Sequence, residues 1–348
     1  MCPDALVLRP THMPSGPHHR SSPASRISGT GRYAPARVLT NHDLERMVDT
    51  SDEWIVERTG IRQRHLAAEG ETTSDMAAAA AKAAIEAAGI AATEIDLIIV
   101  ATITPDRPLP SCAVLVQQKI GARNDCPAFD IAAACAGFIY GMSIADRFIG
   151  TRAARHVLVI GVELLSRVMN WSDRTTCVLF GDGAGAAVIT AAEDEGGILS
   201  THLYADGSQA NALQIPAGGS ALPASHLTVE SALHFVHMTG QDVFKYAVRA
   251  LSSASTTALE ANGVTKEQIR WVVPHQANLR IVEAVAKRLG IGIERFVLNI
   301  SRYGNTSSAS IPIALDEALR AETVKPGDLV LMCALGAGFA WGSALIRV

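Results

Sequence analysis

Short apolar runs of strand length alternate along this chain with longer segments whose apolar positions recur at helical spacing. In the first half the pattern predicts a strand at 27–31 that breaks into a glycine turn, then short helices over 40–47 and 50–58. An alanine-rich helix follows over 74–88, stopped by Gly89. Residues 95–103 read as a buried strand. A proline-broken loop (Pro105, Pro108, Pro110) leads to a helix over 111–120. A buried strand ending at Ile131 comes next, then a turn of small residues and a helix over 138–149. A strand at 156–160 and a glycine turn feeding a strand over 180–189 close this half.

The pattern loosens through a loop at 206–225 and then repeats. A helix is predicted over 240–262, a strand over 269–273 and a helix over 278–289. A strand at 296–300, a tight turn at 304–308 and a helix over 309–320 follow. A strand at 329–333, the Gly336-Ala337-Gly338 turn and a closing strand over 340–347 end the chain. The repeat is one of layout, not of residues. Two α/β halves of this kind would stack their sheets around central helices and bring their strand-end turns to one cleft. The predicted division is an extension at 1–25, one half at 26–195 and a second at 196–348.

Residues 1–25 differ from the rest: rich in Pro, Ser, His and Arg and nearly free of acids. They lack the apolar core of a signal peptide, and they read as a disordered extension or an over-long start, with a transit peptide as the compositional alternative. The chain of 348 residues is 48% hydrophobic with a net charge of −4, which excludes a global basic field for nucleic acid. No run approaches the roughly 20 apolar residues of a membrane span. The six cysteines form no C-x-x-C pair, so free thiols in a reducing, cytoplasmic setting are expected, with no disulfide framework and no metal site.

One cysteine stands apart. Residues 129–140 read Phe-Asp-Ile-Ala-Ala-Ala-Cys-Ala-Gly-Phe-Ile-Tyr, which puts Cys135 in a turn of small residues at a helix start. Helix N–H groups there favour the thiolate and would lower its pKa below the free value of about 8.5. By itself this stretch fits a buried structural thiol equally well. The layout repeat adds two more polar groups at strand-end turns: His275 in Val-Val-Pro-His-Gln-Ala-Asn-Leu-Arg, and Asn305 in Arg-Tyr-Gly-Asn-Thr-Ser-Ser-Ala-Ser. Each alone has a plain alternative, a satisfied core histidine and a turn asparagine.

Together these motifs resemble the Cys-His-Asn condensing enzymes of the thiolase superfamily, most closely the β-ketoacyl-acyl carrier protein synthase III family. The resemblance runs from about residue 26 to 348. It includes Asp-Glu-Trp-Ile-Val, Ala-Ala-Ala-Cys-Ala-Gly-Phe, Phe-Gly-Asp-Gly-Ala-Gly-Ala, Pro-His-Gln-Ala-Asn-Leu-Arg, Gly-Asn-Thr-Ser and Trp-Gly-Ser-Ala-Leu, in order. It implies an α/β thiolase-like fold of two pseudo-symmetric halves in α-β-α-β-α layers. It also implies an acyltransferase that condenses an acyl-CoA primer with malonyl-acyl carrier protein, releasing CoA and CO2. The resemblance further implies a homodimer that needs no cofactor, since the CoA thioester is a substrate, and no nucleic-acid or membrane partner.

Carried over residue by residue, the resemblance makes Cys135 the nucleophile, with His275 and Asn305 beside it. The backbone N–H groups of Cys135 and Ala337 would form the oxyanion hole. Trp54, Arg58 and Arg174 resemble the walls around the CoA adenine, and Gly240 and Asn278 the lining of the pantetheine tunnel. Lys245, Arg280, Lys287 and Arg288 form a basic patch suited to an acidic carrier protein; a solvated helix face is the alternative. Leu109 and Leu335 resemble acyl-pocket walls, Leu109 reaching in from the partner subunit. Two departures stand out: the last loop reads Leu335-Gly-Ala-Gly-Phe339 where three glycines are common, and Leu335 replaces an aromatic. These keep open a homologue of specialised metabolism that primes a polyketide or acylates O or N without decarboxylation. A non-catalytic subunit that binds acyl carriers is the third reading.

Overall fold

The computed structural model describes residues 23–193 and 196–348, so the extension expected at 1–25 lies outside the described residues up to residue 22. Its far boundary is corrected by Ser25. That residue opens the first strand, Ser25–Tyr33, fully buried, and its hydroxyl donates to Asp146 at 2.8 Å.

Two sheets carry the fold. The first has five strands in the order Ser25–Tyr33, Gly183–Ala191, His156–Glu163, Leu97–Ala101 and Ala128–Ile131. The second has four, in the order Gly197–Ala205, Ala340–Arg347, Leu329–Gly336 and Trp271–Pro274. Read in these orders, both sheets pair antiparallel, antiparallel, then parallel, so the layout repeat extends to strand register. The first sheet adds one further parallel strand, Ala128–Ile131, which delivers Cys135.

Helices Gly137–Gly150 and Ser310–Arg320 lie between the sheets. Their apolar faces (Phe138, Ile139 and Met142; Ile311, Ala314 and Leu315) share one core with strands of both sheets. Helices Thr73–Ala88 and Cys112–Ile120 cover the outer face of the first sheet. Helices Gly240–Ala261 and Leu279–Leu289 cover the outer face of the second. The result is the five-layered α/β arrangement of the thiolase-like fold.

Three expectations about elements are corrected. The first strand does not break at its glycines; it runs on to Tyr33. Gly29 and Gly31 are there because helix Thr73–Ala88 lies directly on them. A Cβ at either would meet the helix backbone (Ala84 O or Ala80 O) within 2.4 Å. The strand expected at 296–300 is a single bridge from Phe296 to Val272, after which the helical turn Ile300–Tyr303 begins. Phe296 is buried in the core of the second sheet's outer face and Ile300 in a separate cluster, while Leu298 is exposed. Gly197–Ala205 is an edge strand that the sequence reading passed over, because its polar residues interrupt the apolar run.

Candidate active site

Cys135 follows strand Ala128–Ile131 in a single turn of 3-10 helix, Ala134–Ala136, that leads straight into helix Gly137–Gly150. Ala134 holds a left-handed φ of 44°, which turns the chain sharply enough to aim the thiol into the cleft. The second half repeats the device: Ser307 holds φ 50° in the turn Ser307–Ala309, just after Asn305 and just before helix Ser310–Arg320. His275 sits at the end of strand Trp271–Pro274, its N–H donating to Cys333 O at 2.8 Å.

The three expected chemical residues meet. Cys135, His275 and Asn305 are 8%, 4% and 6% exposed and line one cavity of about 530 Å³. Each is oriented by a specific neighbour. The Ser307 N–H donates to Asn305 Oδ1 at 2.8 Å, which leaves the Asn305 amide N–H groups for the cavity. Ser310 Oγ lies 2.7 Å from His275 Nδ1 and accepts the Gln276 N–H at 3.3 Å. In the tautomer in which the Ser310 hydroxyl donates to Nδ1, the ring hydrogen is on Nε2. Burial pushes His275 down to about 3, so the imidazole is neutral. The site thus offers two neutral donors, His275 Nε2–H and the Asn305 amide.

The thiol contradicts its expectation. Cys135 is pushed up to about 12, chiefly because burial disfavours the thiolate and further because of the Glu163 carboxylate; a Ser307 hydrogen bond works the other way. The helix start is present, but enclosure by both halves outweighs it.

A second cavity of about 240 Å³ also has Cys135 in its wall, together with Ile103, Leu165, Ile215, Val236, Ser307 and Ala337. Gly336 carries the closing loop so near that a Cβ there would sit 2.4 Å from the Cys135 backbone N. Ala337 is not among the residues of positive φ, so a non-glycine residue fits this place in the loop without strain.

The outer residues divide. Arg58, Gly240, Lys245, Asn278 and Arg280 line the larger cavity. Trp54 lies beside its mouth between two guanidinium groups, Arg58 at 5.6 Å and Arg174 at 5.5 Å from the ring. Arg174 also reaches Asp49 at 3.3 Å. The Asn278 side chain is committed to the frame: it caps helix Leu279–Leu289 through the Arg280 N–H and donates to Arg58 O at 3.1 Å. Lys287 and Arg288 are exposed in the last turn of that helix, about two turns from the mouth, and line neither cavity at Cys135. The two residues expected to wall the acyl pocket differ in placement within one chain, as a contribution of Leu109 to a partner subunit would require. Leu335 is buried and lines the larger cavity, while Leu109 is 83% exposed and lines neither.

The walls of the small cavity were missed because Leu213–Gln214 and His237–Met238 pair into a ribbon across a loop without periodic signal. Glu163 was missed as well. Its signal was visible: a lone acid closing the apolar run of strand His156–Glu163.

The C-terminal model of 3-oxoacyl-[acyl-carrier-protein (ACP)] synthase III matches residues 259–348, and the companion model of the same synthase matches 129–207. The β-ketoacyl-[acyl-carrier-protein] synthase III of Xanthomonas campestris is 55% identical over 323 residues, 93% of this chain and 98% of that one. The chain belongs to the 3-oxoacyl-[acyl-carrier-protein] synthase III family. It is an acyl-transferring condensing enzyme. The crystal structure of the synthase III of Aquifex aeolicus is 49% identical with a TM-score of 0.86, covering 93% of this chain and all of that one. The priming β-ketosynthase of the R1128 polyketide pathway is 37% identical with a TM-score of 0.86, covering 94% and 97%. Among the described residues no helix is long and apolar enough to cross a membrane.

Proposed function

We propose that this enzyme condenses an acyl-CoA primer with malonyl-acyl carrier protein to a 3-oxoacyl-acyl carrier protein, the opening step of fatty acid synthesis. The observation that carries the reading is the convergence of Cys135 with two neutral donors where two cavities meet. The Cys135 sulfur attacks the primer thioester, and the acyl chain lies in the apolar cavity. The oxyanion is held by the N–H groups of Cys135 and Ala337, a donor of this kind contributing about 3–4 kcal/mol. CoA leaves through the larger cavity, past Arg58, Trp54 and Arg174. The malonyl thioester then enters, loses CO2, and places its enolate oxygen against His275 and Asn305. Neither donor changes charge, so both stabilise the enolate by hydrogen bonding without protonating it. The carbanion attacks the acyl-Cys135 carbonyl a few ångströms away.

Lys245 and Arg280 at the mouth give the acidic carrier its first contact, and Lys287 and Arg288 extend the patch. The working unit is a cytoplasmic homodimer in which the exposed Leu109 enters the partner's acyl pocket. The halves 26–195 and 196–348 each supply one side of the site.

Intact-protein mass after incubation with acetyl-CoA, then malonyl-acyl carrier protein, tests this. Wild type gains and discharges an acetyl group with CO2 release, and Cys135→Ala gains none. Asn305→Ala acetylates within about threefold of wild type but condenses at least a hundredfold more slowly. An acetyl group that malonyl-acyl carrier protein cannot discharge would overturn the decarboxylative reading. The 37% likeness to a polyketide priming enzyme makes the product's fate the second readout.

A further inference from the structure

Behind the nucleophile lies an acid that the condensation chemistry does not use. Glu163 is fully buried where the two halves touch. Its carboxylate faces the Ile103 N–H, the Thr102 and Thr104 hydroxyls of the first half, and the Ser307 and Ser308 hydroxyls of the second. No lysine, arginine or histidine hydrogen bond reaches it among the described residues, and the titratable group beyond these hydroxyls is Cys135.

The hydrogen bonds allow either protonation state. Ser307 Oγ stands 3.2 Å from Glu163 Oε1, and Ser307 lines the same small cavity as Cys135, where its hydroxyl favours the thiolate. Ser308 gives its hydrogen to Ala101 O at 2.8 Å, so at 3.4 Å it turns a lone pair toward Oε1, ready to accept from a protonated carboxyl. A carboxylate held without a cation, in a dry pocket of hydroxyls, is poised to take up a proton.

We propose that Glu163, acting through the Ser307 hydroxyl, takes the Cys135 proton during acyl transfer and returns it to the departing CoA sulfur. The thiol proton passes to Ser307 Oγ as the Ser307 proton passes to Glu163 Oε1. The sulfur bonds the acyl carbon, the carbon–sulfur bond to CoA breaks, and the CoA thiolate recovers one proton by the reverse path. No net charge is created in the closed site. Burial lifts Glu163 to about 7, which matches this duty, whereas His275, held near 3, is a poor acceptor.

The relay rests on the acyl-CoA reading above, so its test uses two probes. Rates of acetylation by acetyl-CoA and of Cys135 alkylation by iodoacetamide are measured from pH 5.5 to 9.5, with peptide mapping of the adduct. In wild type both rise as Glu163 ionises and level off above about pH 7.5. An acid acting by charge alone predicts the opposite sign, because its ionisation suppresses the thiolate. Glu163→Gln is at least tenfold slower at pH 7.5, has no inflection, and climbs about tenfold per pH unit. Ser307→Ala, which keeps the acid, does the same, and Glu163→Asp restores part of the plateau. Either Glu163→Gln or Ser307→Ala keeping the inflection, or staying within threefold of wild type, overturns the relay. If Glu163→Gln fails to fold, Ser307→Ala decides. If no acyl-CoA acylates wild type, the proposed function fails while the alkylation profile still judges the relay.

Discussion

Gly336→Ala isolates the placement of the oxyanion loop. A Cβ at Gly336 would meet the Cys135 backbone N at 2.4 Å, the Ala134 Cβ at 2.8 Å and the Ala133 O at 3.2 Å. The first contact lies about 1 Å inside ordinary van der Waals range, and two of the three atoms are backbone. They cannot swing aside, because Ala134 already holds a left-handed φ and Cys135 leads straight into the buried helix Gly137–Gly150. The loop must therefore retreat from Cys135 by that distance, carrying the Ala337 N–H with it. Overpacking of this kind costs about 1–3 kcal/mol of stability. Losing one oxyanion donor costs about 100- to 1000-fold in rate. The expected result is a folded enzyme, its unfolding midpoint lowered by a few degrees, that acetylates at least a hundredfold more slowly in single-turnover quench with intact mass. Iodoacetamide alkylation needs no oxyanion hole and should fall far less. Acetylation within threefold of wild type would refute both the Ala337 assignment and the packing argument.

Two further outcomes follow from the site. The unfolded chain takes a proton on His275 below about pH 6.5, while the folded site refuses one until about 3, so stability falls as pH drops through that window. At roughly 1.4 kcal/mol per pH unit, His275→Gln should lose about 2–3 kcal/mol less than wild type between pH 7 and 4.5 in denaturant unfolding; equal losses would show that the imidazole is not held neutral. Arg174→Ala removes one guanidinium from the Trp54 ring, a contact of about 0.5–1 kcal/mol at an exposed site. KM for acyl-CoA should rise about two- to fivefold with kcat unchanged, and a fall in kcat alone would place Arg174 elsewhere in the cycle.

Most strands and helices, and the three polar residues that meet at one cavity, were legible along the chain. Strands and helices were legible because central strands bury both faces as short apolar runs, as with Ile98–Val100, and helices bury one face, as with Ile281, Val282 and Val285. Cys135, His275 and Asn305 were legible because each sits at the same kind of strand-end turn, among small residues that leave room for a substrate. The repeat of layout was visible for the same reason: both halves solve one packing problem in the same order.

The packing of the two halves set the rest. Glycines in Ser25–Tyr33 look like a turn until helix Thr73–Ala88 is laid on them. The Cys135 thiol reads as activated by its helix until both halves close over it and desolvation takes the larger part. Leu335 and Leu109 look alike along the chain, but one is buried beside Cys135 and the other is 83% exposed. Glu163 gains meaning only because Ser307, 144 positions away in sequence, hydrogen-bonds it at the cavity that Cys135 also lines. Burial and long-range juxtaposition set these properties, and a local pattern along the chain carries neither.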